Sequence, residues 1–196
     1  MTLALGLTLG RILIGPIFLL VYLYYQKLGI SLTMLPPLLI GFVGIAELSD
    51  LLDGMVARRL NQVTELGKVL DPMADSIFRL SVFFTLTQGI VQLPLWIVLF
   101  FFYRDSILST LRTVCALRGF ALGARLSGKV KAIVQASAML LILAFMIPYT
   151  LGVLSLESFR SISFYIALSA MVYSLFSGIE YLRANANFIL KALIKS

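Results

Sequence analysis

Residues 32–58 read LTMLPPLLIGFVGIAELSDLLDGMVAR. The run is long and apolar enough to cross a bilayer, yet it carries Glu47, Asp50 and Asp53 and closes on Arg58. Ionisable residues inside a span are costly and mark a functional site. The rest of the chain places this stretch in a membrane. Of 196 residues, 60% are hydrophobic and 13% charged, and mean hydropathy is +1.01. A soluble domain carries about 45–50% apolar and about 25% charged residues. That composition excludes both a water-soluble globule and a disordered chain.

Six apolar runs are long enough to span as helices, over 12–25, 32–52, 69–88, 90–110, 130–152 and 161–182, at about 20 residues per crossing. Helices are the default because a lone strand leaves its backbone unpaired in lipid. The expected fold is therefore an all-α, integral-membrane bundle of six transmembrane helices, one domain over residues 1–196. Nothing at the N-terminus resembles a cleaved signal, since the apolar run near Ile12 is long enough to span. Pro16, Pro36, Pro37 and Pro148 fall inside the runs and suggest kinks.

Charge sets the orientation. Arg58, Arg59 and Lys68 lie between the second and third runs. Arg104, Arg112, Arg118, Arg125, Lys129 and Lys131 lie around the turn between the fourth and fifth, and Arg183, Lys191 and Lys195 lie in the tail. The opposite connections are nearly bare: Lys27 in the first, no charge from Gln88 to Leu93, and Glu157 with Arg160 in the fifth. The positive-inside rule puts both termini in the cytoplasm. The net charge of +7 is thus explained by topology, without a nucleic-acid partner. The stretch from Ala116 to Gly128 reads as a basic turn, with room for an interfacial helical piece.

Six of the nine acids fall between positions 47 and 75. Asp50, Asp53, Gly54 and Ala57 share one helical face, and Asp71, Asp75 and Arg79 share a face of the next helix. A short connection lets the two helices run antiparallel, so both acid pairs meet near the cytoplasmic end. Four carboxylates facing one another repel unless cations sit between them. With no histidine and one cysteine, Cys115, ligation is all-oxygen and favours Mg²⁺ or Mn²⁺, or else Ca²⁺. Two such ions can clamp a phosphate during displacement. Gly54 and Ala57 either allow close helix packing or leave room for a bulky ligand beside the metals. A structural ion-pair network with Arg58, Arg79 and Arg104 is the bland alternative, but four acids at one depth exceed what structure requires.

Asp50-Leu51-Leu52-Asp53-Gly54-Met55-Val56-Ala57-Arg58, then Gly67-Lys68-Val69-Leu70-Asp71-Pro72-Met73-Ala74-Asp75, resembles the complete D-x2-D-G-x2-A-R-x8-G-x3-D-x3-D pattern of the CDP-alcohol phosphatidyltransferases. The resemblance extends to the six-helix plan and so to nearly the whole chain. It implies a homodimeric membrane enzyme that moves a phosphatidyl group from a CDP-linked lipid to an alcohol and releases CMP. By matching position it implies that Asp50, Asp53 and Asp71 ligate the metals, and that Asp75 reaches them and serves as general base. Gly54 and Ala57 would admit the cytidine, Arg58 would contact nucleotide or diphosphate, and Gly67 would keep the facing helix close. Thr8 and Arg11 resemble the T-x-x-R element of the first helix. Leu5 stands where that element often has Asn, so a polar contact from there is absent. A basic residue such as Arg11 also serves as a topology anchor.

Arg104 and Arg112 lie eight apart, about two turns, and so share a face; Lys129 and Lys131 open the fifth run. Four cations converging at the cytoplasmic ends of two helices suit a dianionic phosphate better than a neutral alcohol. Arg104-Asp105 … Arg112 … Gly128-Lys129-Val130-Lys131, Thr64-x2-Gly67-Lys68-x-Leu70-Asp71-Pro72 and Ser177-Gly178-Ile179-Glu180-Tyr181 resemble the phosphatidylglycerophosphate synthase branch. That branch implies CDP-diacylglycerol as donor and glycerol 3-phosphate as acceptor, with the pocket facing the cytoplasm. Ser76 stands where Lys is common in the branch, and Asp105 where Glu is frequent. Inositol phosphate and serine are the rival acceptors. A carboxylate-lined cation transporter is the reading from another class, but it has no need of Gly54 and Ala57 among the acids.

Overall fold

The structure is a computed structural model. It describes the backbone of residues 3–59, 65–119 and 126–194, with side chains over 10–49, 72–119 and 126–190. Among the described residues there are six helices and no strand: α1 (Leu3–Tyr24), α2 (Leu35–Arg59), α3 (Glu65–Leu86), α4 (Leu95–Leu117), α5 (Leu126–Thr150) and α6 (Leu156–Ile194). The all-α expectation is borne out, and each apolar run corresponds to one helix.

Helix boundaries depart from the apolar runs for local reasons. Most helices continue past the apolar part at the end that carries the basic connections. α6 has 39 residues, about 58 Å at 1.5 Å per residue, far beyond the ~30 Å of a hydrocarbon core. α4 starts later than its run because Pro94, with φ −59° and ψ 126°, stands immediately before it. Pro36 and Pro37 fall in the first turn of α2, where the missing N–H has no intrahelical acceptor to lose. They start the helix, and the kink expected there is corrected to a helix start. Pro148 lies in the last turn of α5, where its carbonyl accepts from Val153 N and Leu154 N; it closes the helix. Pro16 alone of the four sits deep inside its helix.

α1 packs against α2 and α3, α5 against α2 and α6, and α4 against α3 and α6. Phe18, Tyr22, Leu39, Val43, Phe78, Val82, Phe101 and Met139 are buried in the shared core. Three contacts fix the parallel register of α1 and α3. Arg11 meets Asp75, Gly15 lies where an added Cβ would be 3.0 Å from Ser81 Cβ, and Tyr22 meets the turn after α3. In that turn the Tyr22 hydroxyl donates to Gln88 O at 3.0 Å and accepts from Ile90 N at 3.0 Å and Val91 N at 2.9 Å. Gly89 is required there twice over: its φ is +63°, and a Cβ would stand 2.9 Å from the Tyr22 ring. Arg160, from α6, donates its Nε to Ile90 O at 3.0 Å. The α3–α4 turn is thereby strapped to both ends of the chain.

Large apolar side chains also cover the outside, among them Leu13, Leu20, Ile45, Phe100, Tyr103, Tyr165 and Phe176. Among the described residues, Leu126–Thr150 and Leu156–Leu190 are long and apolar enough to cross a membrane, with hydropathies of 2.2 and 1.7. The apolar parts of α1 and α2, Gly10–Tyr24 and Leu35–Ser49, are shorter.

Candidate active site

The backbone places the carboxylate motif on two successive helices, as its spacing requires. Asp50, Asp53, Gly54, Ala57 and Arg58 belong to the last part of α2, and Gly67, Asp71 and Asp75 to the first part of α3. The side chains of Asp50, Asp53, Ala57, Arg58 and Asp71, with that of Thr8, lie outside the described residues. So do the surroundings of Gly54 and Gly67. Asp75 is described. Its Oδ1 accepts from Arg11 Nη1, and Arg11 is only 2% exposed. Arg11 is therefore not a surface anchor: it is a buried cation that holds the motif's last carboxylate across α1 and α3.

One turn further along α3, Arg79 makes a two-pronged pair with Glu47. Nε reaches Oε1 and Nη2 reaches Oε2, each at 3.0 Å. This geometry matches a planar guanidinium to a planar carboxylate and ties α3 to α2. Among the described residues, the ion-pair network weighed for the acids includes Arg79 with Glu47, a residue outside the spaced motif. Arg104 likewise pairs with Asp105, also outside it.

The basic cluster is organised around that same Asp105. Lys131 Nζ donates to both of its oxygens, at 2.9 and 2.8 Å, and Arg104 Nη1 donates to Oδ1 at 2.9 Å. All three side chains are nine-tenths buried or more. Arg104 also donates through Nη2 to Ser177 Oγ at 3.0 Å. Arg112 donates through Nε to the Tyr181 hydroxyl at 3.2 Å, with its guanidinium carbon 4.8 Å from that ring's centre. Arg104 and Arg112 line one cleft, as their spacing suggested, and Lys131 shares Asp105 with Arg104. Lys129 does not join them: it is exposed where Lys131 is buried, because residues two apart on a helix point about 200° apart. The expectation that all four cations face one pocket is corrected to two, Arg104 and Arg112, with Lys131 joined to them through Asp105.

A cleft of about 330 Å³ opens between α3 and α4. Arg104, Asp105 and Arg112 line it from α4, with the hydroxyls of Ser106, Ser109 and Thr110, and Pro72, Met73 and Ser76 line it from α3. Ser76 follows Asp75 directly, so the cationic wall faces the helix that carries the motif. The chemistry such a cleft offers is anion binding: two guanidinium groups, flanking hydroxyls and one internal counter-ion. Sequence reasoning had Asp105 only as a departure from a pattern and gave Glu47, Ser177 and Tyr181 no role. A usable signal was present in the last two, whose i, i+4 spacing on α6 matches the shared face of Arg104 and Arg112 on α4.

Known proteins resemble this chain along most of its length. The family model described as CDP-alcohol phosphatidyltransferase matches residues 1–176. A Bacillus subtilis (strain 168) protein named CDP-diacylglycerol–glycerol-3-phosphate 3-phosphatidyltransferase is 30% identical over 186 residues, covering 91% of this chain and 92% of its own. A protein of the same name from Rickettsia felis is 30% identical over 135 residues, 68% of this chain and 70% of its own. A Streptomyces coelicolor protein named cardiolipin synthase (CMP-forming) is 37% identical over 78 residues, 40% of this chain and 36% of its own.

Proposed function

The chain belongs to the CDP-alcohol phosphatidyltransferase family, and we propose that it transfers the phosphatidyl group of CDP-diacylglycerol to sn-glycerol 3-phosphate, giving phosphatidylglycerophosphate and CMP. The observation that carries the acceptor is the cleft in which Arg104 and Arg112 face the α3 helix of Asp75. The end-to-end likeness to a relative named for that acceptor supports it. In this reading the acceptor phosphate sits against Arg104 and Arg112, with Lys131 behind them on Asp105. Its primary hydroxyl attacks the lipid-side phosphorus of the donor, Asp75 takes the hydroxyl proton, and the bond to the CMP oxygen breaks. Arg11 fixes the Asp75 carboxylate from the α1 side. Gly54, Ala57, Arg58, Gly67 and Thr8 are assigned to the nucleotide side by motif position.

Asp50, Asp53, Asp71 and Asp75 would hold the metal. The donor set fits a hard cation, since it is all carboxylate in a chain without histidine, and Mg²⁺ or Mn²⁺ takes oxygen ligands. When bound, two such ions would neutralise the diphosphate charge.

The membrane reading is six crossings with both termini and the active site on the cytoplasmic side. It is supported by the basic residues at one end of the helices and by the apolar side chains exposed around them. Surfaces of that kind suit lipid better than water. A homodimer is proposed on the family resemblance.

The test is CMP release from CDP-diacylglycerol by purified chain in detergent. Release should depend on glycerol 3-phosphate and stop in EDTA. Acceptor-independent release, or none in the presence of Mg²⁺ and Mn²⁺, would overturn the proposal. A cardiolipin product would instead favour the function named for the Streptomyces coelicolor relative.

A further inference from the structure

Ser177-Gly178-Ile179-Glu180-Tyr181 lies on α6, away from the carboxylate motif, yet three of its five residues meet the arginines of the cleft. Ser177 Oγ accepts from Arg104 Nη2 at 3.0 Å. A Cβ at Gly178 would stand 3.2 Å from Arg104 Cγ and 3.5 Å from its Nε, so the absence of a side chain lets the arginine stem lie flat on α6. Tyr181 receives the Arg112 Nε at its hydroxyl and carries the guanidinium over its ring. Glu180 accepts from Ser127 Oγ in the first turn of α5, four residues before Lys131.

The spacing gives these contacts a direction. Arg104 and Arg112 are about 12 Å apart along α4, whereas Ser177 and Tyr181 are about 6 Å apart along α6. The partners on α6 are thus closer together than the arginine backbones on α4, so both guanidinium groups are held against adjacent turns of α6. From this geometry we infer that Ser177, Gly178 and Tyr181 are positioning residues for the acceptor: they aim Arg104 and Arg112 at a single phosphate. An arginine already held in place loses less freedom when the anion arrives. The inference rests on the acceptor reading above.

The test uses purified full-length chain and separate Michaelis constants for glycerol 3-phosphate and CDP-diacylglycerol. Tyr181→Phe removes one hydroxyl and keeps the ring. It should raise the acceptor constant about 3–10-fold and leave the donor constant within about twofold, which also reports that the protein is folded. Tyr181→Leu should raise the acceptor constant further, because the cation–π contact goes too. Ser177→Ala and Gly178→Ala should act in the same direction through Arg104. In an Arg112→Ala background, Tyr181→Phe should add less than about twofold, since a residue acting through Arg112 has nothing left to position. Equal weakening toward both substrates, or an undiminished Tyr181→Phe effect in the Arg112→Ala background, would overturn the inference. So would no effect of Tyr181→Phe when Arg112→Ala raises the acceptor constant, and the acceptor reading would then stand. If Arg112→Ala leaves that constant unchanged, the acceptor reading fails and the inference falls with it.

Discussion

The two ends of the helix bundle bury polar groups in different ways. At the α3–α4 turn, polar side chains bond to main chain. The Tyr22 hydroxyl has three backbone partners and Arg160 caps a carbonyl. At the other end, charged side chains bond one another across helices. Arg11 meets Asp75, Arg79 meets Glu47, Lys131 and Arg104 meet Asp105, and Arg104 and Arg112 reach α6. Closing a turn needs its backbone groups satisfied and little else. Burying ion pairs costs desolvation that apolar residues would avoid, so a bundle built for stability alone would not concentrate them. The contrast fits the proposal of a structural end and a working end, and substitutions should separate in the same way.

The largest effect should come from the carboxylates. Asp50→Asn or Asp71→Asn should abolish metal-dependent turnover, as EDTA should in the unaltered chain, with thermal stability in detergent nearly unchanged. Near-normal rate and metal dependence in either variant would remove that residue from the site. Asp75→Asn should reduce turnover about 10²–10⁴-fold, the usual contribution of a positioned proton acceptor, while donor binding persists. If it mainly weakened donor binding with turnover intact, Asp75 would be a ligand and not the base.

Arg112→Ala should come next. Charge-assisted hydrogen bonds contribute roughly 1.5–3 kcal/mol, so the acceptor Michaelis constant should rise on the order of 10–100-fold, with the donor constant steady. Lys131→Ala should weaken acceptor binding too. It should also lower stability, because it leaves buried Asp105 with one partner fewer. The smallest effect on catalysis belongs to the structural end. Tyr22→Phe strands three backbone groups and should cost about 1–3 kcal/mol of stability, read as a lower melting temperature, with both Michaelis constants unchanged. A Tyr22→Phe enzyme of normal stability but altered substrate affinity would erase the distinction between the ends.

Much of this division was legible in the sequence. Apolar runs located the six helices, and the spaced aspartates placed the motif on α2 and α3, because helical periodicity is local information. The departures arise where partners are distant or where register was overlooked. Arg11 finds Asp75 across 64 residues, which no local pattern announces. Lys129 and Lys131 looked like a pair by proximity, although two residues on a helix face apart. Asp105 looked incidental because nothing in its neighbourhood reveals that Lys131 will chelate it. Pro36 and Pro37 start α2 where kinks are expected, because a run of hydropathy does not show where its first turn begins.

The cationic wall beside the carboxylate helices is proposed to select a phosphorylated acceptor. The most direct measurement offers purified chain CDP-diacylglycerol with glycerol 3-phosphate, inositol phosphate, serine and choline in competition, and identifies the lipid product. The product should be phosphatidylglycerophosphate, with one CMP released for each molecule formed. Preferential formation of the serine or choline lipid would contradict that proposal.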